Sequence, residues 1–260
     1  MSRILITGAS KGLGRATAIE LARRGHEVIA TARKVETLAD LPVAARLALD
    51  VTDDASVRKA VEEAGRVDVL VNNAAEIALG PIESIPLEEV RHLYEINLFG
   101  ALRMMQAVVP AMRERRSGTV VNISSIVAKV GFPLNGAYSS TKWALESLSE
   151  SLRVEVGHFG VRVVLVEPGA IGTGALDAPR AHFGADDPYL PLAASRKFRP
   201  REELTSPEVI ARVVADAAES PERQFRWPAG DDAVNLLAQR AKLDDQAFDK
   251  VLRTATKLDW

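Results

Sequence analysis

The sequence predicts a doubly wound α/β fold: a parallel sheet, expected to hold seven strands, with helices on both faces (a Rossmann fold). Three observations lead there. Short apolar runs recur along the chain, helix-period stretches separate them, and a glycine-rich turn joins the first run to the first helix.

Ile4-Leu5-Ile6-Thr7 is the first expected strand, and Gly12 to Arg24 follows with helical spacing. Gly25 closes that helix, with Arg23 and Arg24 in the last turn where cations suit the helix dipole. Val28-Ile29-Ala30-Thr31, Leu47-Ala48-Leu49, Val69-Leu70-Val71, Thr119-Val120-Val121-Asn122-Ile123 and Val163-Val164-Leu165-Val166 are five further strands. Segments 53–65, 87–113 and 137–158 read as the helices between them. After Thr173 the period is lost: 174–206 carries Pro179, Pro188, Pro191 and Pro200, and so long an irregular stretch is either functional or disordered. Ser206 and Pro207 then read as the N-cap and first turn of a helix. Phe225-Arg226-Trp227 supplies a seventh strand, and 231–256 reads as helical. No repeat or low-complexity linker divides the chain, so a single domain over 1–260 is expected.

Composition narrows the chemistry. Of 260 residues 47% are hydrophobic and 26% charged, the net charge is −2, and there is no cysteine. That excludes disulfides, thiolate zinc sites and a cysteine nucleophile. Charges of both signs are mixed, which argues against a nucleic-acid footprint. No apolar run approaches a membrane span. MSRILITGAS falls short of a signal peptide, so a cytoplasmic location is expected. No metal site is expected.

The turn itself reads Thr7-Gly8-Ala9-Ser10-Lys11-Gly12-Leu13-Gly14. Glycines there let the backbone turn tightly and a pyrophosphate approach free N–H groups at the helix start. The same letters satisfy G-x-S-x-G, the hydrolase nucleophile elbow. That reading needs an oxyanion loop from an earlier strand and a histidine after a late one. Only seven residues precede Gly8, and His26, His92, His158 and His182 are all elsewhere. A Walker P-loop fails because no Gly-Lys-Ser/Thr follows.

Downstream, Tyr138 and Lys142 stand four apart on one helix face. A phenol is a poor base at neutral pH, and a neighbouring ammonium or an oxidised nicotinamide would stabilise its phenolate. Taken alone, the pair also fits an ordinary amphipathic helix. Ser124-Ser125 closes strand 119–123 at the carboxyl edge of the sheet, where ligands bind in such folds. Asn97 interrupts an apolar helical stretch, so it either caps a local break or has a polar task. Val166-Glu167-Pro168-Gly169 ends a strand at the same edge.

Together these residues resemble the short-chain dehydrogenase/reductase family, in its compact single-domain branch. The resemblance spans residues 3 to about 173 and comprises Thr7-Gly8-x-x-x-Gly12-x-Gly14, Asp50, Asn72-Asn73-Ala74, Asn97, Ser125, Tyr138-x-x-x-Lys142 and Pro168-Gly169-x-Ile171-x-Thr173. It implies an enzyme interconverting a carbonyl and an alcohol by hydride transfer, with Tyr138 as acid/base and Ser125 positioning the substrate oxygen. It implies that Lys142 holds the nicotinamide ribose and lowers the Tyr138 pKa, and that Asn97 anchors a water relay. The implied cofactor contacts are Gly8, Ser10, Lys11, Gly12, Leu13 and Gly14 in the turn, with Arg33, Asp50, Val51, Asn73, Ala74 and Ala75 along the crevice. Tyr138 and Lys142 contribute too, and Pro168, Gly169, Ile171 and Thr173 near the carboxamide. One departure stands out: Ala75 occupies a position where the family usually has glycine.

For the cofactor, NAD-preferring members of this fold place an acid about 20 positions beyond the turn. Here Ala32 stands there, followed by Arg33, with Lys11 as a second cation in the turn. A guanidinium can pair a 2′-phosphate bidentately. NADP(H) is therefore expected in preference to NAD(H). The 174–206 segment falls where the family has its substrate lid, with Phe183, Tyr189, Leu190, Leu192 and Phe198 as candidate pocket residues. The stretch Phe225 to Ala233 is similar to the hydroxysteroid- and retinol-dehydrogenase-like branch, which implies a small hydrophobic alcohol or ketone. The family also implies a homodimer or homotetramer through helices 87–113 and 137–158. The competing class is a cofactor-binding sensor without turnover. Such proteins typically lose the tyrosine, lysine or serine, and all are present here. Epimerases or dehydratases of this fold usually carry a larger C-terminal region than 174–260.

Overall fold

Valine, isoleucine, leucine and alanine fill the short runs, and alternate side chains of each run are buried against opposite helical layers. A computed structural model describes residues 1–173, 180–195 and 204–256. Among these, seven parallel strands form one sheet: β1 (Arg3–Ile6), β2 (Glu27–Ala32), β3 (Ala45–Ala48), β4 (Val69–Asn72), β5 (Gly118–Ile123), β6 (Val161–Pro168) and β7 (Arg226–Ala229). Their order is β3-β2-β1-β4-β5-β6-β7, the doubly wound order expected from the alternation of runs and helices. The register places Ile6 beside Ala30 and Val71, Asn72 beside Asn122, and Ile123 beside Val166. Thr7, Asn73, Ser124 and Gly169 therefore all emerge at the carboxyl edge.

The helices are α1 (Gly12–Arg23), α2 (Asp54–Ala64), α3 (Leu87–Tyr94), α4 (Ala101–Glu114), α5 (Gly136–Gly157), α6 (Leu190–Ser195), α7 (Pro207–Glu219), α8 (Asp231–Arg240) and α9 (Asp245–Thr256). On one face Leu13, Leu21, Ile210 and Val214 of α1 and α7 pack on Ile4, Ile6, Val28 and Val164. On the other, Val57, Met104, Val108 and Met112 of α2 and α4 pack on Leu5, Ile29, Leu70 and Val120. Ser206 caps α7, its side chain accepting from Val209 N, with Pro207 at the first position. Gly25 takes φ +85°, which favours glycine after a helix.

Two helical expectations are refined. The 231–256 stretch is two helices, because Lys242 and Leu243 N–H groups turn back to Gln239 O and Asp244 Oδ1 accepts from Ala247 N to start the second. Within 87–113 the residues Glu95–Gly100 form a π-helical turn between α3 and α4. In the 174–206 segment, Arg180–Ala181 pairs in parallel with Ala78–Leu79 and α6 follows. Residues 174–179 and 196–203, with Pro179, Phe198 and Pro200, lie outside the described residues.

Candidate active site

The glycine turn shapes a crevice of about 560 Å³ at the carboxyl edge of the sheet. Gly8 and Gly12 take φ of +68° and +56°, the left-handed region. A Cβ on Gly8 would approach Ala74 Cα to 2.9 Å, and one on Gly14 would overlap Asn73 Nδ2 and Gly8 O. Thr7 locks the turn to the β4 loop. Its Oγ1 accepts from Asn73 N and Ala74 N at 3.0 Å, while Asn73 Nδ2 donates to Thr7 O at 2.9 Å and Gly8 O at 3.1 Å. Lys11 starts α1 without a side-chain cap, and no acidic residue lies in the first turn, so the first N–H groups face the crevice uncompensated. This cradle suits a dinucleotide pyrophosphate.

At the adenine end the crevice is lined by Ala32, Arg33, Asp50, Val51 and Thr52. Asp50 accepts from Thr52 N and Oγ1 at 3.0 and 2.7 Å. Burial tends to raise its carboxyl, but those bonds and the Arg33 charge bring it below the ordinary value. Arg33, 68% exposed, reaches Glu76 at 3.4 Å. Glu76 also pairs with Arg180 at 2.8 Å and His92 at 3.0 Å. Ala75 lines the same wall. Arg116 and Leu134 are the non-glycine residues of positive φ among those described, so Ala75 tolerates its methyl without strain.

At the other end stand Tyr138, Ser125, Lys142 and Asn97. Tyr138 lines the crevice, and Lys142, only 3% exposed, lies behind it with Nζ 5.9 Å from the ring centroid. Burial pushes the phenol well above its ordinary value, and a hydrogen bond from Ser125 offsets part of this. Burial likewise lowers Lys142 to about 8, partly offset by the Glu146 charge. Lys142 Nζ donates to Ile123 O at 2.8 Å. Asn97 occupies the π turn, where it accepts from Glu76 N at 2.8 Å and donates to Glu76 O and Thr141 Oγ1 at 2.9 and 3.1 Å. It has both the break and the polar task that its position suggested. Ile171 and Thr173 line the crevice, Thr173 lying 3.1 Å from where a Gly12 Cβ would be.

The depressed Lys142 has a consequence for stability. Its folded value is below the unfolded 10.5, so from pH 8 upward the unfolded chain holds a proton the folded chain lacks. Stability linked to this group therefore rises with pH over that window, until ordinary tyrosine ionisation begins near 10 in the unfolded chain. Melting curves of wild type and Lys142→Met between pH 7.5 and 10 should diverge in favour of wild type as pH rises. Parallel curves would contradict it.

Most expected site residues converge on this edge, Ser10, Lys11 and Leu13 included. Ser125, Lys142 and Asn97 are not on the crevice wall, and neither are Pro168 and Gly169. Gly169 packs against Asp232 and donates to Ala229 O at 3.1 Å, so these two turn the chain toward β7 and α8. Of the lid candidates Leu192 is buried and Leu190 exposed, while Phe183 lines a separate cavity with Glu83, His182, Asp186 and Asp187. Sequence reading missed Glu76, Ile77, His92 and Arg180, which also line the crevice, as do Leu49, Thr52, Glu95 and Ile96. Their positions carry no motif, and only the run-on from Asn72-Asn73-Ala74 could have drawn attention to Glu76.

A doubly wound sheet whose open edge cradles an extended crevice in this way defines a dinucleotide-binding protein. The chain belongs to the short-chain dehydrogenase/reductase family: the family model described as short chain dehydrogenase matches residues 2–182. A short-chain dehydrogenase from Streptomyces avermitilis has a similar structure, with TM-score 0.81 and 39% identity over 97% of each chain. One from Burkholderia cenocepacia in complex with NADP has TM-score 0.80 and 30% identity, covering 96% of this chain and 97% of that one. Human 17-beta-hydroxysteroid dehydrogenase type 1 is 36% identical over 268 residues, covering 93% of this chain and 81% of its own. The protein is thus an NAD(P)-dependent oxidoreductase in kind. No helix among the described residues is long and apolar enough to cross a membrane.

Proposed function

We propose that the protein is an NADP(H)-dependent carbonyl reductase and alcohol dehydrogenase acting on a small hydrophobic substrate. The observation that carries this is the buried Tyr138, hydrogen-bonded by Ser125 and backed by Lys142, at one end of a crevice that fits a dinucleotide. Gly8 to Gly14 would hold the pyrophosphate, Asp50 and Val51 the adenine, Asn73 to Ala75 and Lys142 the ribose side, and Ile171 and Thr173 the carboxamide. When bound, the nicotinamide supplies or accepts the hydride. Ser125 orients the substrate oxygen. Tyr138 O–H gives it a proton during reduction and takes one back during oxidation. The Lys142 ammonium stabilises the phenolate left behind. Asn97 fixes the Glu76 segment against α5 and keeps a lone pair on Oδ1 for a water linking Lys142 to solvent.

Arg33 and Lys11 are the cations for the 2′-phosphate, and Ala32 leaves out the acid that would repel it. In this structure Glu76 competes for Arg33. An exposed pair of this kind is worth up to about 1 kcal/mol. Glu76→Gln is therefore expected to tighten NADPH binding by up to about fivefold in a fluorescence titration. Weaker binding would show that Glu76 helps to hold the cofactor.

The hydrophobic-substrate reading draws support from the resemblance to human 17-beta-hydroxysteroid dehydrogenase type 1. Screening ketones and alcohols by NADPH absorbance tests it, and turnover confined to polar sugars or acids would refute it. A homo-oligomer completes the reading: Phe99 of the π turn and Trp143 of α5 are large apolar side chains left exposed. Sedimentation of a monomer at micromolar concentration would exclude it.

A further inference from the structure

Helix α5 holds the end of β5 and the segment after it at Ile123, Ser124, Val127 and Lys129. Lys142 Nζ donates to Ile123 O at 2.8 Å, and Ser124 Oγ donates to Glu146 Oε1 at 2.7 Å. Trp143 Nε1 donates to Val127 O at 2.8 Å, and Lys129 Nζ pairs with Glu146 Oε2 at 2.8 Å. One carboxylate thus holds both ends of the 124–129 segment, which carries Ser125. That carboxylate sits one turn beyond Lys142 and two beyond Tyr138 on the same helix face.

Glu146 is itself held from behind. Arg226 of β7 donates to Glu146 Oε2 at 2.6 Å and to Glu167 Oε1 of β6 at 2.7 Å. The side chains of Glu146 and Glu167 are only 3% and 2% exposed. Burying such a cluster gains little stability over a well-packed apolar core, so its geometry, not its energy, is what distinguishes it. The mechanism above involves Glu146 only through its charge near Lys142, and Glu167 not at all.

We propose that Glu146 is a positioning residue, setting the placement of Ser125 against Tyr138 by tying the 124–129 segment to α5 at both ends. This rests on the tyrosine mechanism proposed above. Glu146→Gln keeps an acceptor for Ser124 but loses the ion pairs to Lys129 and Arg226. In the NADPH-bound protein, amide exchange over 124–130 should quicken about tenfold, as expected for loss of a charge-assisted bond, and by more than in segments that touch neither Glu146 nor Arg226. With a 17-ketosteroid and 2-decanone as probes, kcat should fall about tenfold or more while KM and NADPH affinity stay within about twofold. Glu146→Gln/Lys129→Gln restores the charge balance, so it should recover Tm but not kcat.

Unchanged exchange over 124–130 overturns the proposal, whether or not either probe is turned over. Recovery of kcat together with Tm in the double variant also overturns it, because Glu146 would then only balance charge. If Glu146→Gln does not fold, Ser124→Ala removes one tether alone and must quicken exchange over 124–130 and lower kcat. Tyr138→Phe separates the two readings. Full turnover in that variant sinks the tyrosine mechanism, whereas its loss beside wild-type kcat in Glu146→Gln sinks the positioning role alone.

Discussion

Tyr138→Phe is expected to lower kcat by about two to four orders of magnitude, the usual worth of a positioned acid–base group. Cofactor affinity should change little. The reason is local. The phenol is buried and its ionisation opposed, so the free group would be a poor base; the hydrogen bond from Ser125 favours the phenolate, and Lys142 Nζ stands 5.9 Å from the ring centroid. Phenylalanine keeps the ring packing against Ala137 and Ile126 and loses only the hydroxyl, so the melting temperature should move little while turnover collapses. Stopped-flow reduction with saturating NADPH measures this. Turnover within threefold of wild type would remove Tyr138 from the chemistry.

Ala32→Asp is the second large effect expected, a reversal of cofactor preference. Ala32 ends β2 on the crevice wall beside Arg33. A carboxylate there would face the 2′-phosphate and accept from the 2′-hydroxyl of NADH. Like charges placed together at an interface cost several kcal/mol, so the kcat/KM ratio of NADPH to NADH should fall by about a hundredfold or more. Steady-state kinetics with both cofactors checks it, and an unchanged ratio would place the discriminating group elsewhere. A wild-type preference for NADH would overturn the NADP(H) reading at once.

Much of the site was legible because its parts are local in the chain. Gly8, Gly12 and Gly14 sit within one turn, and Tyr138 and Lys142 within one helix face. Asn97 was visible as an odd residue in an apolar helix, though not that it bridges Glu76 and Thr141. The knot of Arg33, Glu76, His92 and Arg180 was not legible. Those residues come from four separate elements and meet only when the sheet edge closes. The break at 241–244 was hidden for a different reason: its residues keep a helical period, and a side-chain cap from Asp244 ends it. Pro168 and Gly169 matched the pattern in order, yet Asp232, far along the chain, occupies the space beside them.

The sequence by itself determined the doubly wound sheet, the glycine cradle and the tyrosine–lysine pair, because periodicity, turn geometry and helical spacing act over a few residues. Tertiary structure alone decided which charges face each other across the crevice and which carboxylate holds the serine segment. Those depend on side chains brought together from distant strands, where burial sets the strength of each interaction and the chain order carries no trace of it.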